Sequence, residues 1–262
     1  MSLNRRQFLK LAGLGASGIL LAPKDAKASE ETDPENAIAM LYDTTLCIGC
    51  RACQTACKDW NGNPPEVDES GLYDAPIELS ADTWTIIQLY REGDEYAFSR
   101  LGCMHCVEPA CASACPVHAL QKTADGPVVY DPKRCIGCRY CMVACPFNVP
   151  RFEWDAVLPE VKKCTFCTTE GRNRLEMGLG PACADRCPTG ALIWGTRGEL
   201  LEEARQRLDE NPAKYVDHIY GEDDIGGTSV LLLSSVDFEK VGYPMLGDAP
   251  VPKLSETLAN II

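Results

Sequence analysis

The feature that most constrains this chain is a twelve-residue run that begins at Cys135 and ends at Pro146. Its spacing is C-x-x-C-x-x-C-x-x-x-C-P, in which three thiolates bind one [4Fe–4S] cluster and the fourth binds a neighbouring cluster. Gly137 lets the backbone approach the cluster without a Cβ in the way. Pro146 ends the short helical turn because it cannot donate the next backbone hydrogen bond. The run therefore predicts one cluster in its own loop and a link to a second cluster.

Cysteine accounts for 16 of the 262 residues, and every cysteine falls into one of four sets that close with the spacing C-x-x-x-C. Sets one to four are, in order, Cys47, Cys50, Cys53 and Cys57; Cys103, Cys106, Cys111 and Cys115; Cys135, Cys138, Cys141 and Cys145; and Cys164, Cys167, Cys183 and Cys187. Proline follows the last cysteine of sets two, three and four, whereas Lys58 follows that of set one. Sixteen thiolates match four [4Fe–4S] clusters with none left over.

The sets also reveal an internal duplication. Tyr42-Asp43 followed by set one recurs as Tyr130-Asp131 followed by set three, at a constant offset of 88 residues. Sets two and four correspond at an offset of 72 around their last two cysteines, and set four carries eleven additional residues before them. The predicted fold class is α+β, with two tandem bicluster ferredoxin-like modules built from small β-hairpins and helices, followed by a C-terminal extension.

Two other chemistries compete for these cysteines. Structural zinc needs only two C-x-x-C pairs for a tetrahedral site, which leaves the third cysteine of the tight sets and the trailing prolines unexplained. Disulfides suit an exported chain, but cysteines separated by two residues form small strained loops that are better suited to redox exchange. We therefore interpret the cysteines as ligands of four [4Fe–4S] clusters and keep a zinc- or disulfide-stabilised binding scaffold as a remote alternative.

The first 28 residues have the composition of an export signal. Arg5-Arg6 lies in a twin-arginine signature, a short apolar stretch follows, and Ala26-Lys27-Ala28 predicts cleavage after Ala28. The apolar stretch is shorter than the ~20 residues that span a membrane. Twin-arginine export carries folded proteins, which suits a cofactor inserted before transport. We expect a periplasmic protein at the outer face of the cytoplasmic membrane, without a transmembrane helix in the mature chain.

Charge and composition narrow the function further. The formal net charge of −13 argues against a nucleic-acid partner, and cleavage after Ala28 would leave 20 basic and 37 acidic residues. Such an acidic surface can attract a basic partner such as a multihaem cytochrome. The chain has only three histidines, and neither a Ser/His/Asp arrangement nor a Gly-rich dinucleotide fingerprint is visible. The chain is therefore expected to be non-catalytic.

Local patterns predict a few short elements around the cysteine sets. Strands are expected at 39–42, 127–130 and 191–194, and a hairpin is expected from 83–90 and 96–101 with a turn at 91–94. Thr196 and Glu199 form a capping box that begins a helix through Leu208, and a strand follows at 228–234. The predicted organisation is a signal peptide at 1–28, a double ferredoxin-like module at 29–195, a capping helix and strand at 196–234, and an extended docking tail at 235–262.

The four sets in this order, with Gly226-Gly227-Thr228 before a C-terminal strand, resemble the four-cluster iron–sulfur subunits of formate dehydrogenases and hydrogenase-2-type complexes, and of molybdopterin oxidoreductases and periplasmic quinone-linked complexes. The resemblance covers about residues 41–233. The duplication alone lets set one pair with set two or set four, whereas the resemblance implies that the outer sets pair and the inner sets pair. The implied ligand groups are Cys47, Cys50 and Cys53 with Cys187; Cys164, Cys167 and Cys183 with Cys57; Cys103, Cys106 and Cys111 with Cys145; and Cys135, Cys138 and Cys141 with Cys115.

The resemblance also implies a function. Such a subunit relays electrons through four clusters between a catalytic subunit, of molybdopterin, hydrogenase or cytochrome type, and an integral membrane subunit that interacts with quinone. Related subunits usually end in a membrane-spanning helix, and residues 230–233 are too few to supply one. A free-standing soluble polyferredoxin shuttle is the alternative, and the long tail after Leu233 favours the docked subunit.

Several residues near the ligands have two interpretations. His105 either packs beside its loop or donates a hydrogen bond to a cluster sulfur, and packing is favoured. Four cationic side chains adjacent to ligands, at Arg51, Arg134, Arg139 and Lys163, would raise cluster potentials if buried and do little if solvated. The segment 168–179 of set four, which contains its eleven additional residues, is predicted to form a docking loop.

Overall fold

The computed structural model describes residues 33–65 and 76–253, which form eleven short strands and five helices. The strands are β1 (Ile38–Asp43), β2 (Thr85–Glu92), β3 (Glu95–Gly102), β4 (Leu120–Lys122), β5 (Val128–Tyr130), β6 (Arg151–Phe152), β7 (Val161–Lys162), β8 (Thr168–Thr169), β9 (Arg172–Asn173), β10 (Leu192–Thr196) and β11 (Val230–Leu233). The helices are α1 (Ala52–Asn61), α2 (Ala110–Ser113), α3 (Tyr140–Ala144), α4 (Ala182–Asp185) and α5 (Arg197–Glu210). The predicted mixture of helices and small sheets is confirmed.

A three-stranded sheet connects the beginning and the end of the described chain. β1 lies in its centre, antiparallel to β10 and parallel to β11. Because side chains alternate along a strand, Met40 and Tyr42 enter the main core on one face, whereas Ala39 and Leu41 pack under α5 on the other. Both faces of β1 are thus buried, which accounts for its nearly continuous apolar sequence.

The predicted capping box begins α5. Glu199 N–H donates to the Thr196 hydroxyl at 3.4 Å, and the Glu199 carboxylate accepts from Thr196 N–H at 3.1 Å. The buried face of the helix contains Leu200, Leu201 and Ala204, as the spacing predicts. The helix continues two residues beyond the predicted end, to Glu210.

The predicted hairpin is present as β2 and β3, with Glu92 opposite Glu95 and a turn of only Gly93 and Asp94. The turn is therefore shorter than the predicted one. Three further two-stranded sheets pair β4 with β5, β6 with β7 and β8 with β9. These small sheets support the loops that contain the cysteines.

The segment after β11, which the sequence predicts as an extended docking tail, packs on the core over residues 235–253. Val236, Phe238, Val241 and Tyr243 are buried in the same cluster as β1, and Ser99 of β3 donates to the Val241 carbonyl at 2.6 Å. The apolar side chains of this segment cover the β2–β3 hairpin, which would otherwise expose its inner face. The length of the tail therefore no longer argues for a partner.

Two other predictions depend on residues outside the described ranges. The signal peptide at 1–28 lies outside them, as does the end of the chain from 254. Within 33–65 and 76–253, no helix has the length and apolar character needed to cross a membrane.

Candidate metal centres

The loops of sets one and three have the same backbone geometry. Gly49 and Gly137 have φ values of +67° and +69°, and each donates its N–H to the sulfur of the first cysteine in its set at 3.4 Å. Arg51 and Arg139 are both left-handed, with φ of 58° and 63°, and each immediately precedes a helix. The two copies of the predicted repeat therefore place their first three cysteines in equivalent loops.

The two loops differ after their last cysteine. α1 continues past Cys57 to Asn61 and ends at Gly62, whereas α3 ends at Ala144 and leaves Cys145 extended before Pro146. Lys58 can donate the next helical hydrogen bond and proline cannot. The helix stop that the sequence predicts to be missing from set one is thus absent there.

Backbone N–H groups also point at sulfurs in the looser sets. Ala119 donates to Cys115 Sγ at 3.2 Å, and Leu192 donates to Cys187 Sγ at 3.4 Å. In set four, Phe166 N–H donates to Cys164 Sγ at 3.4 Å. Hydrogen bonds to sulfur stabilise the thiolate, the form that binds metal, and adjust the potential of an iron–sulfur centre.

Two cavities are lined by cysteines from different sets. One is lined by Cys47, Cys50, Cys53 and Cys187. The other is lined by Cys115, Cys135, Cys138 and Cys141. Each cavity receives three cysteines from a tight set and the last cysteine of a looser set, so the two cavities correspond in both copies of the repeat.

The remaining eight cysteines influence one another in the same crossed manner. Burial raises the pKa of the Cys57 thiol well above its ordinary value, and the charges of Cys164, Cys183 and Cys167 raise it further. Burial likewise raises the pKa of Cys106 well above its ordinary value, with Cys103, Cys111 and Cys145 adding to the shift. The last cysteine of each tight set therefore lies close to three thiols of a looser set.

The thiols are arranged neither as disulfides nor as single-ion sites. All sixteen cysteines are free, which contradicts the disulfide scaffold. In the part of the chain that the structure describes, no three cysteine, histidine or carboxylate side chains converge closely enough to hold one metal ion. Tetrahedral zinc needs sulfurs at about 2.3 Å from a common point, and the thiols of the described residues do not converge in that way.

Two buried nitrogen donors near these thiols lack a partner within the described residues. His105 Nδ1 accepts a hydrogen bond from Val128 N–H at 3.0 Å, and burial holds the pKa of His105 well below its ordinary value. The neutral ring therefore carries its proton on Nε2, which is unpartnered, as is Nε of Arg100. Buried donors without acceptors are rare in proteins, and they fit a group that presents acceptor sulfurs.

The sequence does not identify Arg100 as part of the site. It lies on β3, three residues before Cys103, and is 2% exposed. The one available signal is an arginine in a strand whose other residues near its end are apolar or small. Of the cations that the sequence does indicate, Lys163 is buried and donates to the carbonyls of Val128 and Cys164, whereas Arg134 is exposed and pairs with Asp131 at 3.3 Å.

The additional residues of set four contact the chain itself. They form the β8–β9 hairpin, and the guanidinium groups of Arg172 and Arg174 lie 5.1 and 4.9 Å from the ring centroid of Trp60 on α1. Arg174 also pairs with Asp185 of α4 at 2.6 Å. The hairpin thus connects the helices of sets one and four, which is a structural role that the sequence did not predict.

Comparisons with known proteins agree with this geometry. Residues 95–197 match the model of the 4Fe-4S dicluster domain. The chain is 39% identical to the hydrogenase-2 operon protein HybA of Escherichia coli O157:H7 over 99% of its own length and 89% of that protein. It is 40% identical to the nitrate-inducible formate dehydrogenase iron-sulfur subunit of Escherichia coli (strain K12), over 78% of this chain and 70% of that subunit. It is also 37% identical to the formate dehydrogenase-O iron-sulfur subunit of that strain, over 88% and 77%. Since the identity covers nearly the whole chain, the protein belongs to the family of ferredoxin-type iron–sulfur electron-transfer subunits that includes these relatives.

Proposed function

We propose that this protein carries electrons through four [4Fe–4S] clusters between a catalytic subunit and a membrane subunit that interacts with quinone. The observation that carries the proposal is the pair of cavities, each lined by three cysteines of one set and the last cysteine of another. When bound, each cluster accepts and releases one electron. The work of the chain is to hold the clusters and to exclude water from them.

The ligand groups proposed are the four crossed groups that the resemblance implies. Their support is the mutual influence of the thiols across sets, together with the backbone N–H groups directed at the sulfurs. The charge of Cys187 raises the pKa of Cys47 and of Cys53, and the charge of Cys115 raises the pKa of Cys141. Two bicluster modules in tandem follow from these groups.

Three electrostatic interactions between thiols of different ligand groups support a single row of clusters. Beyond burial, the charge of Cys183 raises the pKa of Cys53, which connects the group of set one with that of set four. The charge of Cys103 raises the pKa of Cys164, and the charge of Cys141 raises the pKa of Cys111. We propose the order set one, set four, set two and set three, with electrons passing between neighbouring clusters.

The two ends of the row are the places where partners exchange electrons. At the set three end, large apolar side chains are exposed in set three and in the β6–β7 loop that follows it, at Ile136, Tyr140, Val143, Trp154, Val157 and Leu158. Val143 and Val157 are 89% and 98% exposed, and apolar surface of this kind marks a protein interface. At the set one end, Ile48 is 60% exposed. These surfaces favour a docked subunit over the free-standing shuttle.

The partners follow from the relatives. Their names refer to hydrogenase-2 and formate dehydrogenase, so we propose a catalytic oxidoreductase subunit, of molybdopterin type first, at one end. A quinone-interacting membrane subunit, or a multihaem cytochrome attracted by the acidic surface, occupies the other end. The twin-arginine signature supports a periplasmic location.

The decisive experiment is to count iron, acid-labile sulfide and zinc in protein purified anaerobically from its native membranes. The expected result is about sixteen irons and sixteen sulfides per chain, a broad visible absorption that bleaches on reduction, and co-purifying subunits. Stoichiometric zinc, or iron far below sixteen, would refute the four clusters. Full iron content in a chain that is monomeric in native extracts would instead support the shuttle.

A further inference from the structure

Arg100 is a buried cation that pairs with no carboxylate of the described residues. Its residue is 2% exposed, and its Nε has no hydrogen-bond acceptor within residues 33–65 and 76–253. The hydroxyl of Tyr243 donates to its backbone carbonyl, not to its side chain. An unpaired charge in a protein interior is costly, and arginine does not lose its proton to avoid the cost. The charge therefore needs a negative group nearby that is not an aspartate or a glutamate.

Cysteines of sets one and four lie beside this part of β3, since Ile87, the cross-strand partner of Arg100, packs in one cluster with Cys53 and Cys183. Burial lowers the pKa of its guanidinium, but the charges of Cys183, Cys164 and Cys53 outweigh burial and hold that pKa above its ordinary value. In the opposite direction, burial raises the pKa of Cys57 and Cys164, and the charge of Arg100 opposes that increase. Three of these four cysteines, Cys57, Cys164 and Cys183, belong to one proposed ligand group.

We infer that the buried charge of Arg100 raises the reduction potential of the cluster held by Cys57, Cys164, Cys167 and Cys183. The inference rests on the proposed function. Reduction adds one electron, and hence one negative charge, to a group in a low-dielectric interior, and a fixed positive charge beside it stabilises the reduced form. No bond or proton changes in this step.

Burial distinguishes Arg100 from the other arginines near cysteines. Arg134, beside Cys135, is 56% exposed along its side chain and already pairs with Asp131, so solvent and its partner screen its charge. Arg100 is buried and has no carboxylate partner among the described residues, so its charge is little screened and acts on the adjacent thiols. It lies where the second cluster of the row is expected, so it would hold the electron at an interior position between the two docking ends.

The test uses the purified holoprotein in potentiometric titrations followed by paramagnetic resonance, with iron and sulfide counted in every sample. In Arg100→Met, the ratio of reduced to oxidised cluster at a fixed potential is expected to fall about tenfold or more for this one cluster, which is 59 mV for a one-electron couple. Its signal is assigned as the one that Cys57→Ser alters. Arg100→Lys, which keeps the charge, and Arg134→Met, the matched exposed control, are each expected to stay within about threefold of the wild type.

The outcomes separate this inference from the proposed function. Wild-type protein without clusters would refute the proposed function itself. If wild-type protein has full iron, and the ratio of reduced to oxidised cluster in Arg100→Met stays within about twofold of the wild-type ratio, only the role of Arg100 is refuted. An equal shift in the potentials of all clusters would refute that role as well. If Arg100→Met loses iron, Arg100→Gln and Arg100→Lys decide: a low potential in the glutamine variant alone supports the inference. Loss of iron from the lysine variant as well would make Arg100 a packing residue and overturn it.

Discussion

Asp43, fully buried at the end of β1, accepts an ion-pair hydrogen bond at 3.1 Å from Arg207 on α5, 164 residues away in sequence. The hydroxyl of Tyr215 donates to the same carboxylate oxygen at 2.9 Å, and Thr45 N–H donates to the other oxygen at 2.9 Å. This cluster of polar groups fixes α5 against the central strand. It also precedes the first cysteine of set one by only a few residues.

Replacement of Arg207 by methionine is expected to destabilise the protein by about 3 kcal/mol, because it leaves the Asp43 carboxylate buried without its cation. Arg205→Met is the matched control on the same helix, since the side chain of Arg205 is 55% exposed in its pair with Glu222 and such pairs contribute about 0–1 kcal/mol. Thermal unfolding of the anaerobic holoprotein measures both. Equal midpoints for the two variants would contradict the structural role of the buried pair.

The two equivalent glycines are expected to differ in their tolerance of alanine. A Cβ on Gly49 would lie 2.3 Å from the ring of Phe98, whereas a Cβ on Gly137 would meet nothing nearer than the Phe152 ring at 3.8 Å. Both variants incur the left-handed backbone cost of about 1–2 kcal/mol, and Gly49→Ala adds overpacking of about 1–3 kcal/mol. Iron counts on the purified variants are expected to show larger loss for Gly49→Ala. Equal retention would mean that Phe98 moves aside freely.

Cys145→Ser is expected to alter the cluster held by Cys103, Cys106 and Cys111 before the cluster of its own loop. The charge of Cys103 raises the pKa of the Cys145 thiol, and the charge of Cys145 raises the pKa of Cys106. Cys141→Ser is the comparison, because the charges of Cys135 and Cys138 raise the pKa of Cys141. Loss of the Cys141 thiol should therefore affect the set three cluster. Resonance spectra resolved by cluster provide the measurement. A change confined to the Cys135 cluster in Cys145→Ser would refute the crossed assignment.

The exposed apolar side chains at the set three end are expected to bind a partner subunit. Val143→Asp combined with Val157→Asp places charges among them without touching a cysteine, so iron content should remain at the wild-type level while one co-purifying subunit is lost. Met177→Asp, at an exposed apolar residue elsewhere, is the control and should retain both partners. Full recovery of every subunit with the double variant would place the interface elsewhere.

Export is expected to depend on the arginine pair near the start of the chain. Arg5→Lys combined with Arg6→Lys conserves the charge but removes the twin-arginine signature. The variant should accumulate in the cytoplasm with its clusters in place, as measured by cell fractionation and iron content. Unchanged recovery in the periplasmic fraction would show that another route carries the protein.

Local features of this chain could be predicted from sequence, and long-range ones could not. The glycine at the second position of the tight loops, the capping box of Thr196 and Glu199, and the proline stops act within a few residues, so their spacing specifies their structure. Arg100 was missed because its one local signal, an arginine among apolar and small strand residues, does not show what it faces, which depends on the packing of β3 against distant cysteines. The fold of residues 235–253 was also missed, although Val236, Phe238 and Val241 form an apolar pattern that an exposed tail would not need.

The position of β1 between β10 and β11 determines how late in synthesis the central sheet can form. Strand β1 has no paired strand until Leu192–Thr196 and then Val230–Leu233 have been made, and such non-local pairing is slow. Set one therefore emerges on a segment that stays without its neighbours for most of translation, whereas sets two and three follow each other closely. The central sheet therefore closes only after Leu233 has been made, and a product truncated before β11 cannot form it.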